Sequence, residues 1–269
     1  MAPVELPKDV ADILDLLLGG VRQALAGNLL GVYLCGSLVT GDFIPSTSDV
    51  DVLGATDRPV SDREFAALVA LHANLAALPN PYARRLEIAY VDRAALKRFV
   101  PGLRHPTLGQ GEVLALTEHR ENWVLERSVV RECGVALLGP DPKTLIAPVA
   151  PDELSTAVRR RLQDWADWVA QPSDPEWRAP LSHKAYVVET MCRSLYTVRL
   201  GQLVSKPQAV AWALEIFPEP WRALVARSQT WRTDTTVDLS VVPDVMRLVL
   251  WIVAQANAAD SQASGADSC

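Results

Sequence analysis

The chain has 269 residues, enough for two domains of ordinary size, and its 49% hydrophobic and 22% charged residues are the proportions of a globular protein with a sizeable core. A formal net charge of −6 excludes a general nucleic-acid binder, which needs a basic face to neutralise phosphates. The cysteines, Cys35, Cys133, Cys192 and Cys269, have no metal-ligand spacing, and Cys35 and Cys192 sit in apolar segments as buried thiols.

No stretch approaches the ~20 apolar residues of a membrane span. The opening MAPVELPKDV lacks the basic segment and apolar core of a secretory signal. A cytoplasmic protein without a membrane partner is expected. From Asp9 to about Leu25, Val10, Ile13, Leu14, Leu17, Val21 and Leu25 recur at helical spacing, which predicts a helix packed on a sheet. The apolar run Val32-Tyr33-Leu34-Cys35 then predicts a strand that ends at Gly36-Ser37. A polar connector follows, and Asp49 and Asp51 alternate with Val50, Val52 and Leu53 in a second strand.

Ser61-Asp62-Arg63-Glu64 reads as a capping box that starts a helix carrying Phe65, Leu68, Val69 and Leu75, closed by Asn80-Pro81. Arg84 to Val91 predicts a third strand with Glu87 on it, and Asp92 caps a helix over 94–99. Pro101 to Glu112, with its prolines and glycines, predicts a loop, and a helix is expected from about Thr117 to Glu132. A short strand then runs into Gly139-Pro140, and Pro148 to Asp152 makes a junction. Beyond it no alternating strand pattern is convincing. Helices are expected over 152–169, 183–200, 206–216, 219–228 and 242–256, followed by a small, polar, frayed tail over 259–269.

The chemistry concentrates between Val32 and Leu53. Alternate strand residues share a face, about 7 Å apart along the backbone, so the side chains of Asp49 and Asp51 can converge. Asp is depleted in strands, and two carboxylates on one face repel unless a cation lies between them. Convergent acids of this kind hold paired Mg²⁺ ions, which sit ~3.5–4 Å apart in phosphoryl-transfer sites. Gly36 permits close backbone approach, and the Ser37 hydroxyl with the N–H groups that follow suits a phosphate. Glu87 offers a third carboxylate, as a metal ligand, as a general base or as both.

Strand, Gly-Ser, eleven residues and Asp-x-Asp in a second strand: this order resembles the nucleotidyltransferase superfamily of the polymerase-beta type. With the Glu87 strand, GVALLGP (134–140) and SLYTVRLGQLVSKPQAVAWAL (194–214), the chain is similar to the streptomycin/spectinomycin adenylyltransferases among the aminoglycoside nucleotidyltransferases, from about Val32 to about Trp231. The resemblance implies an α/β (α+β) nucleotidyltransferase domain with a mixed sheet over 1–148. An all-α helical-bundle domain over 149–258 would complete the ATP and substrate cleft.

It also implies Mg²⁺, expected as two ions, with ATP as co-substrate, a cationic small-molecule acceptor, and Glu87 as the base. A monomer is expected. ATP would be held by Gly36, Ser37, Ser48, Arg193, Lys206 and Trp231. Arg193 lies on an otherwise apolar helix face and needs an anionic partner. Lys206 opens a helix just before Pro207, where the dipole disfavours a cation.

The acceptor would meet Glu112, Trp168, Asp174, Glu176, Trp177 and His183. The register departs from the relatives in that stretch, and His183 stands where they carry an acid. Rival readings are the same transfer to another small molecule or to a protein, and a non-catalytic, antitoxin-like nucleotide-binding partner. Three clustered carboxylates count against the last.

Overall fold

The computed structural model describes residues 6–266, with side chains as far as residue 258. The chain divides into two compact units, Met1–Pro148 and Val149–Cys269.

The first unit is built on six strands: β1 (Leu29–Leu34), β2 (Val50–Thr56), β3 (Leu86–Asp92), β4 (Arg104–Leu108), β5 (Ala115–Glu118) and β6 (Val135–Leu138). They form one sheet in the order β5-β4-β3-β2-β1-β6. The β2–β3 pair is parallel and the other pairs are antiparallel, so the sheet is mixed, as expected. The helices of this unit are α1 (Lys8–Leu25), α2 (Ser37–Thr40), α3 (Asp62–Ala76), α4 (Arg93–Lys97) and α5 (Asn122–Cys133).

Alternation along the strands sorts residues onto two faces. On one, Val32, Leu34, Val50, Val52, Ile88 and Tyr90 pack with the buried stripe of α1 (Val10, Ile13, Leu14, Leu17, Val21, Leu25) and with Leu68 and Leu75 of α3. On the other, Tyr33, Cys35, Leu53, Ala55, Ala89 and Val91 pack with Ala95 and Leu96 of α4 and Val130 of α5. Burying a side chain of this kind contributes about 1.5–3 kcal/mol, so both faces are firmly covered. The capping box forms: Ser61 Oγ accepts from Glu64 N–H, and the Glu64 carboxylate accepts from Ser61 N–H. The Asp92 carboxylate caps α4 through Ala94 and Ala95 N–H.

Two expectations fail in this unit. The segment read as a loop over 101–112 contains β4, and the helix expected from Thr117 begins at Asn122, behind β5. Pro106 hid β4, because proline has no N–H for a ladder. It falls just outside the β3–β4 pairing, which joins only Ile88 to Leu108 and Ala89 to Thr107. Ala115, Leu116 and Glu118 are good helix formers, but pairing with β4 holds them as a fully exposed edge strand.

The second unit is helical: α6 (Pro151–Val169), α7 (Leu181–Leu200), α8 (Lys206–Ile216), α9 (Trp221–Ser228) and α10 (Val242–Ala266). Helix α7 is central, packing against α6, α8 and α10, with Val187, Val188, Met191, Cys192 and Leu195 fully buried. The stretch Leu239–Ala258 is long and apolar enough to cross a membrane by length and composition, with mean hydropathy 1.5, contrary to the expectation that none approaches that size. Its Val245, Leu248, Val249 and Ile252 are nevertheless fully buried, and α10 packs on α6 and α7, as a core helix does. Of the tail expected over 259–269, residues 267–269 and the side chains from 259 onward lie outside the described residues.

Candidate active site

Strand register assembles the acids. Asp51 on β2 lies directly opposite Glu87 on β3 in the parallel ladder, and Asp49 immediately precedes β2. Parallel neighbours in register point the same way. Asp51 and Glu87 therefore project from the face that carries Leu53, Ala55, Ala89 and Val91. Ligand oxygens of Asp49, Asp51 and Glu87 all lie within 4.8 Å of one another, and each residue is half-buried.

So much negative charge in a small volume has an electrostatic signature. Burial, then the Asp49 carboxylate, pushes the Glu87 carboxyl up to about 7, while a bond from Gln110 N–H to Glu87 Oε1 (3.2 Å) pulls it down. Glu126 and Glu112 add smaller repulsions. The Cys35 thiol, on the same face, is raised well above its ordinary range by burial and then by Asp51. It is an inert structural thiol.

The Gly-Ser turn lies against these acids. Gly36 has φ +64°, and a Cβ there would overlap the Asp51 carboxylate. Only glycine combines that backbone with that clearance. Ser37 opens α2, and its Oγ is buried without a hydrogen-bond partner. An unpartnered buried hydroxyl costs stability unless a ligand completes it. The donor set, three carboxylates with hard oxygens, fits Mg²⁺, and the glycine cradle leaves Asp51 unobstructed.

Ser48 is nearby in sequence but employed locally. Its hydroxyl accepts from Ile44 N–H (2.9 Å) and its carbonyl accepts from Arg85, which fixes the turn before Asp49. Glu112 is exposed in the β4–β5 turn, the same turn whose Gln110 N–H reaches Glu87.

In the second unit, three of the residues expected to meet the acceptor come together. Trp168 of α6 stacks on Trp177 (centroids 3.8 Å, interplanar 17°) and meets His183 of α7 edge-on at 6.3 Å. Trp168 Nε1, Trp177 Nε1 and His183 Nε2 are buried without hydrogen-bond partners. Lys184 supports the group: its ammonium, 1% exposed, donates to the carbonyls of Trp177 (2.7 Å), Ala179 (2.6 Å) and Glu176 (3.4 Å). Asp174 caps the short 3₁₀ turn Pro175–Arg178 by accepting from Glu176 N–H, and Glu176 is exposed.

Of the cations, Arg193 is half-buried on α7 and makes no ion pair among the described residues. Lys206 is the first residue of α8, with its ammonium 4.7 Å from the Tyr186 ring centroid. Trp231 is buried beneath the Arg227 guanidinium, which lies 5.3 Å from its ring.

Comparison with known proteins bears on both units. Residues 144–247 match the family model described as aminoglycoside adenylyltransferase, C-terminal domain. The aminoglycoside (3'') (9) adenylyltransferase of Shigella flexneri is 26% identical over 232 residues, covering 82% of this chain and 84% of the relative. The spectinomycin 9-adenylyltransferase of Staphylococcus aureus is 20% identical over 222 residues, covering 74% of this chain and 76% of the relative. Over most of its length the chain is similar to aminoglycoside adenylyltransferases. The fold agrees: the crystal structure of spectinomycin adenyltransferase AAD(9) from Enterococcus faecialis with ATP and spectinomycin superposes with TM-score 0.72 at 14% identity. That match covers 92% of this chain and 99% of the other.

Sequence reasoning missed several residues around the acids and the aromatic group. Gln110 acts through its backbone N–H, which no residue type announces. Glu126 stands out only as an exposed acid on α5. Lys184 reads as an ordinary surface lysine next to His183, and only the fold of the 174–180 segment brings three carbonyls to it.

Proposed function

We propose that this enzyme transfers AMP from ATP to a hydroxyl of an aminoglycoside or aminocyclitol antibiotic, with Mg²⁺. The observation that carries the reading is the convergence of Asp49, Asp51 and Glu87 beside the Gly36 cradle and the unpartnered Ser37 hydroxyl. The relatives named for aminoglycoside (3'') (9) and spectinomycin 9 adenylylation support the acceptor class, as does a neighbour of the same fold solved with ATP and spectinomycin.

Asp49, Asp51 and Glu87 would hold the metal. Bound there, Mg²⁺ supplies neutralising charge to the phosphate oxygens. Gly36 lets the nucleotide approach the backbone, and Ser37 Oγ donates to a phosphate oxygen. Arg193 and Lys206 serve as phosphate ligands, and Trp231 as a nucleotide contact. Glu87, whose carboxyl is pushed up to about 7, is matched to accepting a proton at neutral pH. It takes the proton of the acceptor hydroxyl as that oxygen bonds to the α-phosphorus. The α–β bridging P–O bond breaks, and pyrophosphate leaves with its electron pair. Trp168, Trp177 and His183 are the acceptor contacts, with indole N–H donors for its oxygens.

The experiment is incubation with ATP, Mg²⁺ and a panel containing streptomycin, spectinomycin and other aminoglycosides, read by mass and by pyrophosphate release. One adduct of a single adenylyl group is expected. Glu87→Gln should lower transfer about 10²–10⁴-fold, the usual contribution of a general base, with ATP affinity within a few-fold. Undiminished turnover in that variant removes Glu87 as the base. A wild-type enzyme that consumes ATP with none of the panel, yet modifies another small molecule or a protein, would reassign the acceptor.

A further inference from the structure

We infer that Arg85 is a positioning residue for Asp49, gripping the turn that delivers this carboxylate to the metal site. This rests on the reading of Asp49 as a Mg²⁺ ligand.

Of the three acids, Asp49 is the one that the strand ladder does not hold. Asp51 and Glu87 are paired within β2 and β3, whereas Asp49 stands just before β2, at the end of the connector from α2. That connector closes on itself in a turn. Thr47 N–H (3.1 Å) and Ser48 N–H (2.8 Å) both donate to Ile44 O, and Ile44 N–H donates to Ser48 Oγ (2.9 Å). Pro45, Ser46 and Thr47 at its tip are exposed. Bonds internal to a turn give it a shape but no place relative to the sheet.

Arg85 supplies the place. It lies two residues before Glu87, and its guanidinium donates to the carbonyls of Pro45 (2.9 Å) and Ser48. A planar guanidinium fork suits two acceptors at once. The carbonyl of Arg85 accepts from Val50 N–H (2.8 Å). The residues on either side of Asp49 are thus both tied to Arg85, Ser48 through the side chain and Val50 through the backbone. The guanidinium is aimed by the buried ring of Tyr82, whose centroid lies 4.9 Å from Cζ, where a ring face attracts a cation. Tyr82 reinforces the same grip: its hydroxyl donates to Pro45 O (3.4 Å), and its ring meets that of Phe43 at 5.9 Å.

The test titrates Mg²⁺ by calorimetry into the nucleotide-free, full-length protein as wild type, Arg85→Met and Arg85→Lys, with hydrogen exchange over 44–48 read in EDTA. Contacts that orient a metal ligand are worth about 10–100-fold in affinity, and Arg85, which acts through the backbone, should sit near the lower end, about ten-fold in Arg85→Met. Exchange over 44–48 should quicken in that variant. Arg85→Lys keeps the charge without the fork and should fall between Arg85→Met and wild type. ATP affinity in EDTA should be unchanged in both. A Met variant with lowered Tm but wild-type Mg²⁺ affinity has lost a structural contact only and overturns the inference, as does wild-type exchange over 44–48. So does a Lys variant that binds Mg²⁺ as wild type does, which assigns the effect to charge. A weakened ATP affinity in EDTA also overturns it, by making Arg85 a nucleotide contact. A wild type that takes up no Mg²⁺ overturns the metal reading of Asp49, and the inference with it.

Discussion

Replacing Glu87 by glutamine should stabilise the metal-free protein while disabling it. Glu87 shares a region 4.8 Å across with Asp49 and Asp51. Two unit charges at that separation repel by about 3.5 kcal/mol at an effective dielectric of ~20 and by about 0.9 kcal/mol in bulk water. All three residues are half-buried, so solvent screening brings the total relieved by Glu87→Gln to roughly 1–3 kcal/mol. For a chain of this size that is a rise in Tm of about 2–10 °C.

The pH dependence has a fixed sign. The carboxyl of Glu87 goes from an ordinary value near 4.5 to about 7 on folding, so its protonated form favours the native state. Stability from this group is present below the ordinary value and lost as pH rises to about 7. The Tm gap between Glu87→Gln and wild type in EDTA should therefore be near zero at pH 4.5, widen through pH 6 and level off above pH 7.5. Excess Mg²⁺ should close it by raising the wild type, since a ligand that binds only the folded state stabilises it. Scanning calorimetry across that range, with EDTA and with Mg²⁺, is the assay. A Glu87→Gln variant less stable than wild type at pH 8 in EDTA, or a gap indifferent to pH, would refute the charge-cluster argument.

Gly36→Ala should cost about 1–3 kcal/mol from its backbone conformation and should displace Asp51; calorimetric titration should show weakened Mg²⁺ binding. Ser37→Ala removes a buried, unpaired hydroxyl. Chemical denaturation should show stability unchanged or raised by up to about 1 kcal/mol, while the KM for ATP rises several-fold. Arg193→Met keeps the apolar stem of a half-buried residue that has no ion pair among the described residues, so Tm should hold while ATP binding weakens about ten-fold or more. Lys184→Met strips three backbone carbonyls, that of Trp177 buried, of their donor and should destabilise by roughly 1–3 kcal/mol, with altered near-ultraviolet dichroism as the Trp168–Trp177 stack shifts.

The acids were legible because each lies in an apolar segment with period-2 alternation, and strand geometry alone carries Asp49 and Asp51 to one face. Matching Asp51 to Glu87 needed the β2–β3 register, which no local pattern specifies, since the intervening helix and loop absorb any offset. The helices of the second unit declared themselves through apolar stripes and through Pro207 at a helix start, while the Ser205 cap emerged only in the structure. Strands β4 and β5 did not, because Pro106 and a helix-favouring Ala-Leu-Thr-Glu run spoke against strands that only tertiary pairing creates. The aromatic group of Trp168, Trp177 and His183 was visible as residue types, but its stacking depends on how 170–180 folds back, and on a lysine that gives no signal of burial.

Asp51 is flanked by Val50 and Val52, and Glu87 by Leu86 and Ile88, all four 4% exposed or less and packed on the opposite side of the sheet. Catalytic alignment and hydrocarbon packing are thus two sides of one ribbon. A substitution such as Val52→Ala, remote from any substrate, would reach the carboxylates through the pleat. Drift in the greasy interior is then a route by which the geometry of the acids changes without touching a single polar group.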